Sequence, residues 1–204
     1  MAHPHQGVNT PSGQGYPGYP AQQGGPPPGP AGPLTRANWG SVAVVAVGTV
    51  AALVGLLLLD WVQGSPLSDV ASAHQAALDQ GLLPQVWGRE VLQFYLDVGA
   101  LLLVLLHAAY MLAWVAGGVR GRTSARIILS TSGKGIAAGR LTGARIVMGG
   151  ASAILVVFHV LILSKLFDGE LGVLEAGGWV MIAGLGIVTA GAVAGPLLPA
   201  RGGR

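Results

Sequence analysis

Residues 122–145 read RTSARIILSTSGKGIAAGRLTGAR, with five basic residues and no acidic one. Long apolar runs flank this stretch, in a chain of which only 9% of the residues are charged. Short loops rich in Lys and Arg stay in the cytoplasm when a chain inserts into a bilayer, so cations gathered between apolar runs point to a cytoplasmic loop of a membrane protein. The remaining charges divide the same way. Arg36 precedes the first apolar run, Arg120 adjoins the quoted stretch to make Arg120, Arg122, Arg126, Lys134, Arg140 and Arg145 one basic loop, and Arg201 and Arg204 follow the last run. Asp60, Asp69, Asp79, Glu90 and Asp97 fall between the first and second runs, and Asp168, Glu170 and Glu175 between the third and fourth. Arg89 and Lys165 are the only Lys or Arg in those two segments. Both termini and the basic loop are therefore expected in the cytoplasm, with the two acidic loops outside.

The four apolar runs occupy 38–59, 98–119, 146–164 and 176–199, and none contains Asp, Glu, Lys or Arg. Each is close to the roughly 20 residues that a helix rising about 1.5 Å per residue needs to cross about 30 Å of hydrocarbon. Trp39, Trp61, Trp114 and Trp179 fall near the ends of these runs, where an amphipathic indole prefers the headgroup layer. The expected fold is all-α: a bundle of four transmembrane helices over 36–204, with outer loops 60–97 and 165–175, a basic inner loop 120–145, and a disordered tail over 1–35. The tail has no charged residue and is dominated by Gly, Pro and Gln, so ordering it would cost entropy with little burial in return. It lacks the basic and apolar regions of a cleavable signal peptide.

Composition agrees with a small multi-pass membrane protein. At 204 residues, 51% apolar and a mean hydropathy of +0.60, the chain is too apolar for a soluble domain and too short for a large transporter. Its net charge of +3 accompanies only 6% aromatic residues, so the basic excess reads as topology and not as a nucleic-acid surface. Zero Cys excludes thiolate metal sites, iron–sulfur clusters and disulfides.

In the first outer loop Val70, Ala71, His74, Ala77 and Leu78 recur at helical spacing, while Asp69, Ser72, Gln75 and Asp79 take the opposite face. This predicts a short amphipathic helix, with Val70, His74 and Leu78 as a candidate partner surface or a cover over the helix ends. Arg89, Gln93 and Asp97 stack as a polar stripe leading into the second run. Gly184, Gly191 and Gly195 in the fourth run, the last two in a GxxxG, form a candidate close-packing surface for a helix of this chain or of a partner.

Two histidines lie within apolar runs, His107 in the second and His159 in the third. Intramembrane ionisable groups are functional candidates. His107 and His159 could serve as axial ligands of a b-type haem, His107 could act as a proton relay or quinone contact, or a neutral imidazole could simply hydrogen-bond between helices. Counting along the helices places His159 about 9 Å and His107 about 15 Å from their outer boundaries, which is unequal for ligands of one iron. No resident cofactor and no metal are expected.

STSGKGI, residues 130–136, lacks the first Gly and the terminal Ser or Thr of a phosphate-binding loop. The cations of the basic loop suit anionic inner-leaflet lipid, at about 1 kcal/mol each near a charged surface. No G-x-S-x-G, no H-E-x-x-H and no paired membrane carboxylates occur, so an enzyme is not expected.

LVGLLLLDWV and GGWVMIAGLGIVTAGAV, with the Gly/Pro/Tyr-rich tail before them, resemble small four-helix membrane proteins of actinobacteria. Among these the chain is similar to the tryptophan-associated transmembrane family, in which one Trp follows the first helix and another opens the fourth. Trp61 and Trp179 match those positions, and Asp60 stands where that pattern often has Pro. The resemblance implies a four-helix fold in a cell membrane and nothing about activity. The expected role is a non-enzymatic accessory or scaffold subunit, working with a membrane-protein partner or as a homo-oligomer. A small oligomeric channel or transporter with His107 as its protonatable group is the alternative, and a haem- or quinone-linked electron-transfer subunit a further one.

Overall fold

The computed structural model describes residues 33–82, 88–129 and 134–199. Most of the expected disordered tail, as well as Arg201 and Arg204, lies outside them. The elements in chain order are α1 (Trp39–Leu57), α2 (Leu67–Asp79), α3 (Arg89–Phe94), a π-helical turn (Tyr95–Gly99), α4 (Ala100–Val115), α5 (Arg122–Leu129), α6 (Lys134–Ala137), α7 (Thr142–Leu166), a 3₁₀ turn (Leu171–Val173) and α8 (Ala176–Ala194). Among the described residues, four helical segments are long and apolar enough to cross a membrane: Trp39–Leu57, Glu90–Val115, Thr142–Leu166 and Ala176–Ala194. This is a multi-pass, all-α membrane protein.

The boundaries differ from the sequence expectation for local reasons. The second span starts earlier, because α3 and the π turn run into α4 without a break, and it stops at Val115 instead of 119. Gly117 N–H donates to Trp114 O and Gly118 N–H to Ala113 O, the paired bonds of a Schellman motif. Gly117 supplies the required positive φ of 79°, and a β-carbon there would stand 2.7 Å from the Arg36 backbone. The basic segment is not a plain loop, since α5, α6 and the start of α7 lie within it. Order also begins before residue 36: Thr35 is buried, and its N–H and hydroxyl both donate to Val119 O.

The tightest contact in the bundle is between α1 and α8, which run antiparallel. Ser41, Gly48 and Gly55 recur every seven residues on α1, as do Gly177, Gly184 and Gly191 on α8. They meet in one register. A β-carbon on Gly48 would stand 2.6 Å from Gly184 O, one on Gly55 2.6 Å from Gly177 O, and one on Gly191 3.3 Å from Ser41 O. A seven-residue repeat keeps two helices in continuous contact with a slight supercoil, and small residues let their backbones touch. Val45, Ala52, Met181 and Val188, all fully buried or nearly so, fill the seam between these contacts.

Both ends of the seam are laced with hydrogen bonds. At the acidic end the Trp61 indole donates to Gly55 O at 2.9 Å, satisfying a carbonyl freed at the end of α1. Gly177 N–H donates to Asp60 O and Glu175 N–H to Trp61 O. At the basic end Asn38 Nδ2 and Ser41 Oγ donate to Gly195 O at 3.0 and 3.1 Å, and Arg36 and Leu197 exchange backbone bonds. Trp114 Nε1 donates to Ala192 O at 2.9 Å. This corrects the interfacial role expected for two of the tryptophans. Trp39 and Trp179 are exposed, but Trp61 and Trp114 are fully buried, because helix-end carbonyls within the protein offer their N–H groups better partners than the headgroup layer.

Candidate functional site

The two intramembrane histidines are both buried, His107 at 3% exposure and His159 at 0%. His107 projects from α4 to α7, where its Nε2 lies 2.7 Å from Ser152 Oγ. Ser152 Oγ lies 2.8 Å from Thr189 Oγ1 on α8, and Thr189 donates to Leu185 O at 3.0 Å. Proton counting fixes the direction of this chain. A carbonyl can only accept, so the single Thr189 proton is spent on Leu185; Ser152 then donates to Thr189, and His107 Nε2–H donates to Ser152. His107 is thereby the Nε2–H tautomer, with a bare lone pair on Nδ1. That Nδ1 is buried without a partner among the described residues.

His159 is held separately. Tyr95, 2% exposed, brings its Oη to 2.7 Å from His159 Nδ1, with the rings edge-on at 5.6 Å. Tyr95 opens the π turn, and such turns re-aim side chains within otherwise α-helical segments. With the phenol donating, His159 carries its own proton on Nε2, which has no partner among the described residues. The centre thus joins α4, α7 and α8 through one three-residue chain and one pair, each ending in an imidazole with one free nitrogen.

The haem reading meets this geometry poorly. His107 bonds Ser152, seven residues or about 10 Å along α7 from His159, so the rings belong to different levels. The nitrogens left over, His107 Nδ1 and His159 Nε2, are both closed over by protein, and a macrocycle would have to displace packed side chains.

At the acidic end, α2 lies against the π turn and the start of the second span. Leu67 and Ala71 are buried there, and Val70, His74 and Leu78 are half-buried on the same face. Burial pushes the His74 imidazole below its ordinary pKa, with nearby Asp97 opposing the shift. The polar ridge expected on the other face is exposed, with Gln75 donating to Asp79 at 2.8 Å. Gln93 donates likewise to Asp97 at 2.7 Å.

The glycine surface of the fourth run is taken up inside the chain. Gly184 and Gly191 meet α1, and Gly195 lies beyond the end of α8 at φ 62°, beside Arg145 and Trp114. No known family, curated protein or solved structure matches this chain. The likeness to the tryptophan-associated family rests on its sequence positions alone. At the basic end Arg120, Arg126, Lys134 and Arg140 are exposed, whereas Arg145 is half-buried and donates to Pro196 O at 3.1 Å. The sequence reading missed the Tyr95–His159 pair and the participation of Thr189. The four-residue spacing from Thr189 to Leu185 was visible, but nothing in sequence tied it to Ser152.

Proposed function

We propose that this protein is a non-enzymatic accessory or scaffold subunit of a larger membrane complex, set in a bacterial inner membrane with both termini cytoplasmic. The observation that carries this reading is the α1–α8 seam, with backbones in contact at three levels and hydrogen bonds at both ends. Parting or sliding these helices would break all of those contacts together. A body that holds one shape suits the positioning of a partner better than alternating access. Purification in native lipid from the source cell, followed by mass spectrometry of what accompanies the chain, tests the proposal. A larger membrane partner recovered in constant ratio supports it; a solitary monomer in native lipid and in several mild detergents contradicts it.

The His107–Ser152–Thr189 chain favours a second reading, a small channel or transporter with His107 as its protonatable group. That reading needs proton or cation flux in liposomes that His107→Phe abolishes. Liposomes that stay tight across the pH range remove it.

A further inference from the structure

We propose that α5 is an in-plane interfacial helix, with Ile127 in the acyl boundary and Arg126 on the phosphate of an anionic lipid headgroup. Ala125 and Leu129 are buried against the bundle and Ile128 is half-buried, whereas Thr123, Arg126 and Ile127 are exposed. At 100° per residue Arg126 and Ile127 sit on opposite edges of that exposed face. Passing round the helix, one meets protein, then an apolar edge, then a basic edge. A helix lying at the junction of protein, lipid and water requires that order.

A tether holds it against α4. The Tyr110 hydroxyl on α4 donates to Ile128 O, and Tyr110 lies five residues before the end of α4 at Val115, about 7 Å back along the spanning helix. Ile128 also packs at Gly118 just past that end. The chain has therefore folded back beside the last turns of α4 instead of leaving directly into water, the placement of a helix that lies in the headgroup and acyl boundary. Ile127, 73% exposed, has a counterpart at the same end of the bundle in Ile146, 69% exposed near the start of α7. An isoleucine so exposed on an otherwise packed helix has a natural occupant in lipid chains. Arg126 beside it, with exposed Arg120 just before the helix, supplies charge opposite to an anionic headgroup.

The inference does not depend on the accessory-subunit reading. Its test uses the full chain in nanodiscs of phosphatidylcholine with or without phosphatidylglycerol. Because the chain has no Cys, single variants Ile127→Cys and Thr123→Cys can carry an environment-sensitive fluorophore. Lipids brominated near the top of the acyl chain should quench the probe at 127 at least threefold more than that at 123, and aqueous iodide should do the reverse. Native mass spectrometry should show Arg126→Gln retaining fewer phosphatidylglycerol molecules than the parent. Quenching of residue 127 by iodide but not by lipid overturns the proposal. So does shielding from both quenchers, which would mean that a second copy covers it, and so does unchanged phosphatidylglycerol retention in Arg126→Gln.

Discussion

His107 Nε2 and Ser152 Oγ stand 2.7 Å apart in the buried contact between α4 and α7. A polar pair in this position restrains both helices, because in hydrocarbon neither group has water as an alternative partner. Ser152→Ala should destabilise the fold by about 1–2 kcal/mol, since it leaves His107 with both ring nitrogens unsatisfied. Adding His107→Leu to Ser152→Ala should recover part of that loss, with a coupling energy of about 0.6–1.7 kcal/mol, the range met for polar pairs in membrane bundles. Reversible unfolding in mixed micelles measures both. Strict additivity of the two substitutions would show that the pair does not act together.

The α1–α8 seam gives a matched comparison within one helix. A β-carbon at Gly184 would meet Ala52 N at 2.4 Å, whereas one at Gly186 would meet nothing within 4 Å. Gly184→Ala should destabilise by about 1–3 kcal/mol through overpacking against backbone that cannot yield. Gly186→Ala should be neutral or stabilising by up to about 1 kcal/mol from helix propensity. Thermal denaturation in detergent separates them, and equal effects would mean that the helices are not in contact there.

His74 makes the docking of α2 sensitive to pH. Burial holds its folded-state pKa below the unfolded value, with Asp97 only partly offsetting, and its Nε2 has no partner among the described residues. The unfolded chain therefore takes up the proton first as pH falls, so the contribution of His74 is intact above about pH 6.5 and is lost below it. Protection factors over 67–79, that is hydrogen exchange corrected for its intrinsic slowing in acid, should fall between about pH 7.5 and pH 5, and His74→Leu should flatten that dependence. Protection that rises on acidification would put Asp97 in control instead.

Much of this architecture could be read from the sequence. The separation of Arg120–Arg145 from Asp60–Asp97 and the four apolar runs required only counting, because a bilayer sorts charge and length independently of packing detail. The partners of the histidines could not be found that way. At 100° per residue Tyr95 lies about 120° off the face of His107, twelve positions on, and would be assigned elsewhere. The π turn absorbs one extra residue and brings Tyr95 within about 20° of that face. The seam was in plain sight as Ser41, Gly48, Gly55 and Gly177, Gly184, Gly191. A seven-residue spacing gains meaning only when two distant segments are laid antiparallel, and the nearer GxxxG at 191–195 drew the reading to Gly195, which lies past the helix end. The burial of Trp61 and Trp114 was hidden for a related reason: a Trp at a helix end serves equally well as interfacial anchor or as carbonyl cap until the neighbouring helix is placed.

The central claim is that the bilayer divides the chain with residue 134 in the cytoplasm and residue 79 outside. The absence of native Cys allows Asp79→Cys and Lys134→Cys to be labelled individually with a membrane-impermeant maleimide. Asp79→Cys should react on intact cells and Lys134→Cys only after lysis; reaction at 134 on intact cells, with 79 protected, would contradict the account.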